Sequence, residues 1–229
     1  MIVIVDYGLG NVKAFSNMYK RMNIDARTAR SADELTDATR IILPGVGHFD
    51  HAMELLDASG MRSALDDAAM SRNVPILGIC VGMQILAEGS DEGNRAGLGW
   101  IPGRVRGMTG LPLSNSMPLP HMGWNDVQPV GASKLFSGLE SDARFYFLHS
   151  FYFTPSSESA TVAVTNYGAD FTCAVGTGTV QGRAIPSREE SPLGGAIVEE
   201  FCGALIGVKA PHNSLPARQR WRLGKNPAF

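Results

Sequence analysis

Through the first half of the chain, short unbroken apolar runs alternate with segments of helical period. Residues 2–5 read as a buried strand and 11–22 as a helix, while 41–43 and 74–79 are further continuous apolar runs, as in strands covered on both faces. Between them, residues 49–58 and 61–69 carry helical spacing. This is the α/β rhythm. After Gly97 the pattern shifts to shorter segments, 104–108, 124–129, 144–148, 161–165 and 171–175, which predict mostly antiparallel strands joined by turns. Residues 109–120, rich in Pro, Gly, Ser and Asn, form the clearest loop. With no repeat, low-complexity tract or linker in view, the expectation is one compact three-layer α/β domain with a mixed central sheet.

Composition narrows the partners. With 229 residues, 44% of them hydrophobic, the chain is long enough to bury a substantial core. A net charge of -2 and a pI near 6.2 give no electrostatic reason to expect nucleic acid or an anionic membrane surface. No apolar stretch reaches the length of a membrane span, and the opening segment meets Asp6 too early for a signal peptide, so a cytoplasmic protein is expected. The cysteines, Cys80, Cys173 and Cys202, are odd in number and lack Cys-x-x-Cys spacing. Neither a disulfide framework nor a zinc site is indicated, and no motif calls for a metal or organic cofactor.

The sequence Gly78-Ile79-Cys80-Val81-Gly82 lies between an apolar strand and a helical run over residues 81–88, the layout of a nucleophile elbow. Glycines on both sides permit a tight strand-to-helix turn. The following helix offers N–H groups to an oxyanion and is expected to lower the thiol pKa, so that a thiolate can attack an amide carbon. The alternative is a buried structural thiol in a glycine-rich turn. Pro44-Gly45-Val46-Gly47 follows the strand at 41–43, at the sheet edge where open α/β sheets bind ligands. Alone it reads as a simple turn. Paired with the cysteine elbow, it supplies the other half of an oxyanion hole.

Further motifs join these in order: Asp6-Tyr7-Gly8-Leu9-Gly10-Asn11, Leu43 to Gly47, Leu77 to Gln84, Gly97-Leu98-Gly99-Trp100-Ile101-Pro102-Gly103, Pro120-His121-Met122-Gly123-Trp124-Asn125, and Phe145-Tyr146-Phe147-Leu148-His149-Ser150-Phe151-Tyr152. Together they resemble the glutaminase subunits of imidazole glycerol phosphate synthase, members of the class I glutamine amidotransferases, from residue 1 to about 181. The resemblance implies that Cys80 forms a glutamyl thioester and that backbone N–H groups around Val46, Gly47 and Val81 hold the tetrahedral oxyanion. It implies that Gln84, His149 and Ser150 hold L-glutamine. It also implies that the segment from Pro120 to Asn125 faces a cyclase subunit, with Trp124 and Asn125 near the ammonia passage. The plainer alternatives are a core aromatic for Trp124 and a solvated helix position for Gln84. His48 and His51, on a surface helix, receive no role.

The chemistry also needs a histidine to take the thiol proton and a glutamate to orient it. The resembling family carries both in Gly-Val-Gln-Phe-His-Pro-Glu-Lys-Ser near its C-terminus. This chain has instead Gly182-Arg183-Ala184-Ile185-Pro186-Ser187-Arg188-Glu189-Glu190-Ser191-Pro192, and the only later histidine, His212, lies in a polar tail. Codons exist for residues 182–192 which, with one base skipped, read as the family motif followed by histidine. The run Ile197-Val198-Glu199-Glu200-Phe201-Cys202 rereads one base later as Leu-Leu-Lys-Asn-Phe-Ala, the family's usual terminal helix, and a stop becomes possible at Leu205. The expectation is a single-base insertion at codon 182, in a domain spanning 1–205 whose residues 182–205 are out of frame. Residues 206–229 are then read-through, in keeping with their polar, aperiodic, proline-containing composition.

The expected reaction is L-glutamine plus water giving L-glutamate and ammonia, for imidazole ring synthesis by the cyclase in histidine biosynthesis. Two other readings stand beside it. One is a paralogue feeding ammonia to a different synthase, such as one aminating a surface sugar. The other is a catalytically silent product, if residues 182–229 are taken literally.

Overall fold

The computed structural model describes residues 1–112, 117–131, 134–136 and 143–184. The chain opens with β1 (Ile2–Val5), α1 (Val12–Arg21), β2 (Ala26–Ala29) and β3 (Arg40–Gly45), followed by α2 (Phe49–Ala58), α3 (Arg62–Asp66) and β4 (Ile76–Cys80). Next come α4 (Val81–Gln84), β5 (Gly89–Ser90), β6 (Gly103–Gly107) and β7 (His121–Pro129). The last elements are β8 (Arg144–His149), β9 (Phe151–Pro155), β10 (Thr161–Asn166), β11 (Asp170–Thr177) and β12 (Val180–Arg183).

Nine strands form one mixed sheet in the order β2-β1-β3-β4-β12-β11-β10-β7-β8, and β5, β6 and β9 form a second, smaller one. In the large sheet β2, β1, β3, β4 and β12 run parallel to their neighbours; β12 to β8 pair antiparallel. Every residue of β1 is buried, as is all of β4 before Cys80, so both faces of this parallel part are covered. The mixed α/β architecture expected from the alternating pattern is therefore present.

Local chemistry sets the helix ends. The Asn11 side chain accepts from the Ala14 N–H at 3.1 Å and starts α1, which buries Ala14, Phe15, Met18 and Tyr19 along one stripe and ends in Lys20 and Arg21. His48, given no role above, caps α2 through its Nδ1, 3.2 Å from the Asp50 N–H. The helix expected over 61–69 is α3, a regular helix only to Asp66, followed by a π-turn over Asp67–Ser71. The run expected to be helical over 81–88 stops at Gln84. The carbonyls of Ile85, Leu86 and Ala87 instead accept from the N–H groups of Leu98, Ile101 and Gly99, so the 98–101 segment takes the bonds a longer helix would have used. The loop expected over 109–120 begins within a 3-10 turn, Met108–Gly110, and ends where β7 starts at His121. Among the described residues, no helix is long and apolar enough to cross a membrane. Of the segment expected to be out of frame, residues 182–184 are described; the rest of it and the tail lie outside the described residues.

Candidate active site

The carboxyl edge of the parallel strands carries the cysteine. β3 and β4 pair in parallel with Gly45 opposite Cys80, so Val46 and Gly47 leave the sheet beside the residue where β4 turns into α4. The turn is sharp. Cys80 has φ 57 and ψ -119, a backbone conformation that an L-residue holds only under strain, on the order of 1–3 kcal/mol. Its neighbours pack the elbow tightly: a Cβ at Gly82 would run into the Leu43 carbonyl oxygen, and one at Gly78 would lie 2.5 Å from the Gly82 oxygen. Both positions must lack a side chain for α4 to sit on β3 and β4.

The thiol is free, and burial pushes it up to about 11; the Val81 N–H acts the other way, and the Glu92 charge adds to the rise. The lowering expected from the following helix is present, through the Val81 N–H, but burial outweighs it. α4 is a single turn of four residues, too short to carry much dipole, and its one N–H contribution is outweighed by desolvation. No histidine is among the groups acting on the Cys80 thiol among the described residues. Glu92, which sequence reading passed over, reaches this region because its carboxylate accepts from the Phe49 N–H at 2.8 Å at the start of α2.

Gln84, on the last turn of α4, is 8% exposed, which removes the alternative of a solvated position. Trp124 is 40% exposed and meets Tyr146 edge-on with ring centroids 5.9 Å apart, so it is not a core aromatic. Asn125 anchors its strand, donating from Nδ2 to the Asn166 carbonyl and accepting from the Asp126 N–H at 3.1 Å. His149 ends β8, and Ser150 follows it before β9. His149 Nδ1 is 2.8 Å from the Phe151 carbonyl, and the Ser150 carbonyl accepts from the Met108 N–H at 2.8 Å.

His149 also has a partner that sequence reading missed. β7 and β8 pair with His121 opposite His149, and His121 Nδ1 lies 3.2 Å from His149 Nε2. A carbonyl only accepts, so His149 must donate from Nδ1 to Phe151, and its Nε2 then accepts from His121. Burial depresses both imidazoles, His121 to about 4, and the pair is neutral near pH 7. The signal in the sequence was the placing of both histidines on the inward face of one hairpin.

On the far side of β4, β12 runs parallel to it, with Gly182 opposite Gly78 and Arg183 opposite Ile79. Arg183 is 3% exposed, its guanidinium carbon 3.6 Å from the centre of the Phe145 ring and 5.3 Å from that of Phe136. A charged side chain at that depth is costly unless it is well partnered, and aromatic faces recover part of the cost.

A mixed sheet with a strained cysteine elbow at its parallel carboxyl edge defines a class of protein, and the family model for class I glutamine amidotransferases matches residues 3–177. The chain belongs to that family. Within it the chain is of the HisH type: it is 54% identical over 201 residues to the imidazole glycerol phosphate synthase subunit HisH of Bdellovibrio bacteriovorus, a match covering 88% of this chain and 98% of that protein. The HisH subunit of Leptospira interrogans is 42% identical over the same shares of each chain. Among solved structures, a glutamine amidotransferase crystal structure matches with TM-score 0.65 and 18% identity, covering 91% of this chain and 100% of that one. PurLQS from Thermotoga maritima matches with TM-score 0.66 and 20% identity, over 90% of this chain and 97% of that one. At those identities the structures speak for the fold.

Proposed function

We propose that this chain is a cytoplasmic glutaminase subunit of an imidazole glycerol phosphate synthase, hydrolysing L-glutamine and passing the ammonia to a cyclase subunit. The observation that carries the reading is the strained Cys80 elbow, paired through Gly45 with the Val46–Gly47 turn. The Cys80 sulfur attacks the amide carbon, and the oxyanion is held by N–H groups around Val46, Gly47 and Val81. Ammonia leaves with a proton, and water then releases L-glutamate from the thioester. Gln84, His149 and Ser150 hold the substrate. The outer face of the β7–β8 hairpin, where exposed Met122 and Leu148 are paired and Trp124 lies opposite Tyr146, is the cyclase side, with Trp124 and Asn125 at the ammonia passage.

The domain runs from 1 to 205 and the remainder is a read-through tail, through a one-base insertion at codon 182. In the shifted frame valine replaces Arg183, a histidine falls at position 186 and a glutamate at 188. Two observations support this: no histidine is among the described groups acting on Cys80, and the HisH relative is nearly covered by a match that leaves part of this chain over.

The test measures ammonia release with the cyclase and its nucleotide ligand for the written chain, a frame-restored chain, and restored Cys80→Ala. Activity in the restored chain alone, abolished by Cys80→Ala, is expected. Equal activity of written and restored chains sinks the account of the base, and an inactive restored chain sinks the glutaminase assignment. A silent subunit is the second reading, favoured by a thiol held near 11 with no histidine acting on it among the described residues. Co-purification with a cyclase separates the proposal from a paralogue serving another synthase.

A further inference from the structure

Tyr7 follows β1 and is 4% exposed, yet its hydroxyl has no hydrogen-bond partner among the described residues. An orphaned buried hydroxyl is destabilising, and a phenylalanine would fill the same volume without that cost. Its location is informative. A Cβ placed on Gly45 would lie 3.0 Å from the Tyr7 oxygen and 2.6 Å from the Gly82 nitrogen. Gly45 is the residue opposite Cys80, and Gly82 belongs to the first turn after it. The phenol thus reaches across β3 to the foot of the elbow, on the side of β4 away from β12.

We propose that Tyr7 is a positioning residue for Cys80, a buried O–H dipole that stabilises its thiolate from beneath the elbow. The inference rests on the reading of Cys80 as the nucleophile. The hydroxyl is a neutral donor beside the elbow, and it lacks a competing acceptor among the described residues. Burial, and then the Cys80 charge, raise the phenol's own pKa, so it keeps its proton when the sulfur has lost one. The charged group that acts on Cys80 is Glu92, a carboxylate that cannot donate and whose charge opposes the thiolate; Arg30 donates to Asp6 at 2.8 Å, and Arg183 lies opposite Ile79 on β12. The site therefore opposes desolvation and Glu92 with the Val81 N–H and the Tyr7 hydroxyl.

The experiment is a pH–rate profile for iodoacetamide alkylation of the full chain, read at the Cys80 peptide by mass spectrometry. Tyr7→Phe is expected to move the Cys80 titration up by about one unit, making alkylation about tenfold slower at any pH below it. A profile that superimposes on the parent's overturns the proposal. Should Tyr7→Phe lose its near-UV circular dichroism, 3-fluorotyrosine at position 7 keeps the shape with a more acidic donor. The titration must then move down, and an unmoved one is equally fatal. Because no glutamine is turned over, a shifted profile with an inactive frame-restored chain would separate failure of the glutaminase reading from failure of this one.

Discussion

Acidification is expected to destabilise this protein measurably through one imidazole. His121 is 2% exposed on β7, stacked against Phe147 at 4.9 Å and Tyr167 at 4.0 Å, with Phe171 edge-on at 6.0 Å and His149 as its hydrogen-bonding neighbour. Burial, then the charge of a protonated His149, lowers it from 6.5 to about 4. The fold therefore keeps the neutral ring while the unfolded chain gains a proton once the pH drops below 6.5. Stability is intact above that value and is lost as pH falls toward about 4. At about 1.4 kcal/mol per pKa unit, moving from about pH 7.5 to about pH 4.5 removes about 2.5 kcal/mol through this ring. Urea unfolding across that range, for the parent and His121→Phe, isolates the effect. Phenylalanine keeps the stack but leaves His149 Nε2 without its donor, a loss of about 1 kcal/mol at every pH. That constant offset drops out when the two pH dependences are compared, and the variant's should be shallower by about 2.5 kcal/mol. Parallel curves would refute the buried neutral pair.

Three further outcomes follow from the elbow. Cys80→Gly should raise stability by about 1 kcal/mol in thermal or urea unfolding, because glycine adopts positive φ without strain; a drop would show that Cys80 is not strained. Gly82→Ala should cost about 3 kcal/mol or more, since its Cβ would meet the Leu43 carbonyl, backbone that cannot swing aside; a melting temperature equal to the parent's would contradict the seating of α4. Glu92→Gln keeps an acceptor for the Phe49 N–H but removes the charge opposing the Cys80 thiolate, so alkylation of Cys80 at fixed pH should become a few times faster; an unchanged rate would take Glu92 out of the site's electrostatics.

What the chain disclosed before its structure depended on whether the determinant was local. β1, β3 and β4 are apolar runs and could be read directly, as could the turn at Cys80 from the glycines around it. β2, with the sequence ARTA, and β12, with VQGR, lack any apolar run; they are strands because parallel neighbours complete their ladders. The burial that outweighs the helix N–H at the thiol, and the bonds from residues 98–101 that cut the expected helix short, are set by parts of the chain distant in sequence. The His121–His149 bond spans 28 residues and exists only through the hairpin register. Tyr7 was visible as part of a motif, but its proximity to Gly45 required the order in which β1, β3 and β4 lie.

β12 brings these strands of argument together, because its position explains why a change there bears on Cys80. Its ladder with β4 advances in step from Val180 opposite Ile76 to Arg183 opposite Ile79, and the next residue of β4 is Cys80. A parallel strand rises about 3.3 Å per residue, so β12 draws level with Cys80 at residue 184, where the described structure ends. Gly182 fixes this approach, since a Cβ there would collide with Met83 on the helix that follows Cys80. The strand thus leads the chain toward the sulfur from the side of β4 opposite Tyr7. On the reading proposed above, a frame change at codon 182 preserves the glycine that seats the strand and alters every residue after it. It would leave the elbow and its strain built as before, and remove with the terminal helix both the group able to take the proton from a thiol that burial holds near 11 and the glutamate that orients that group.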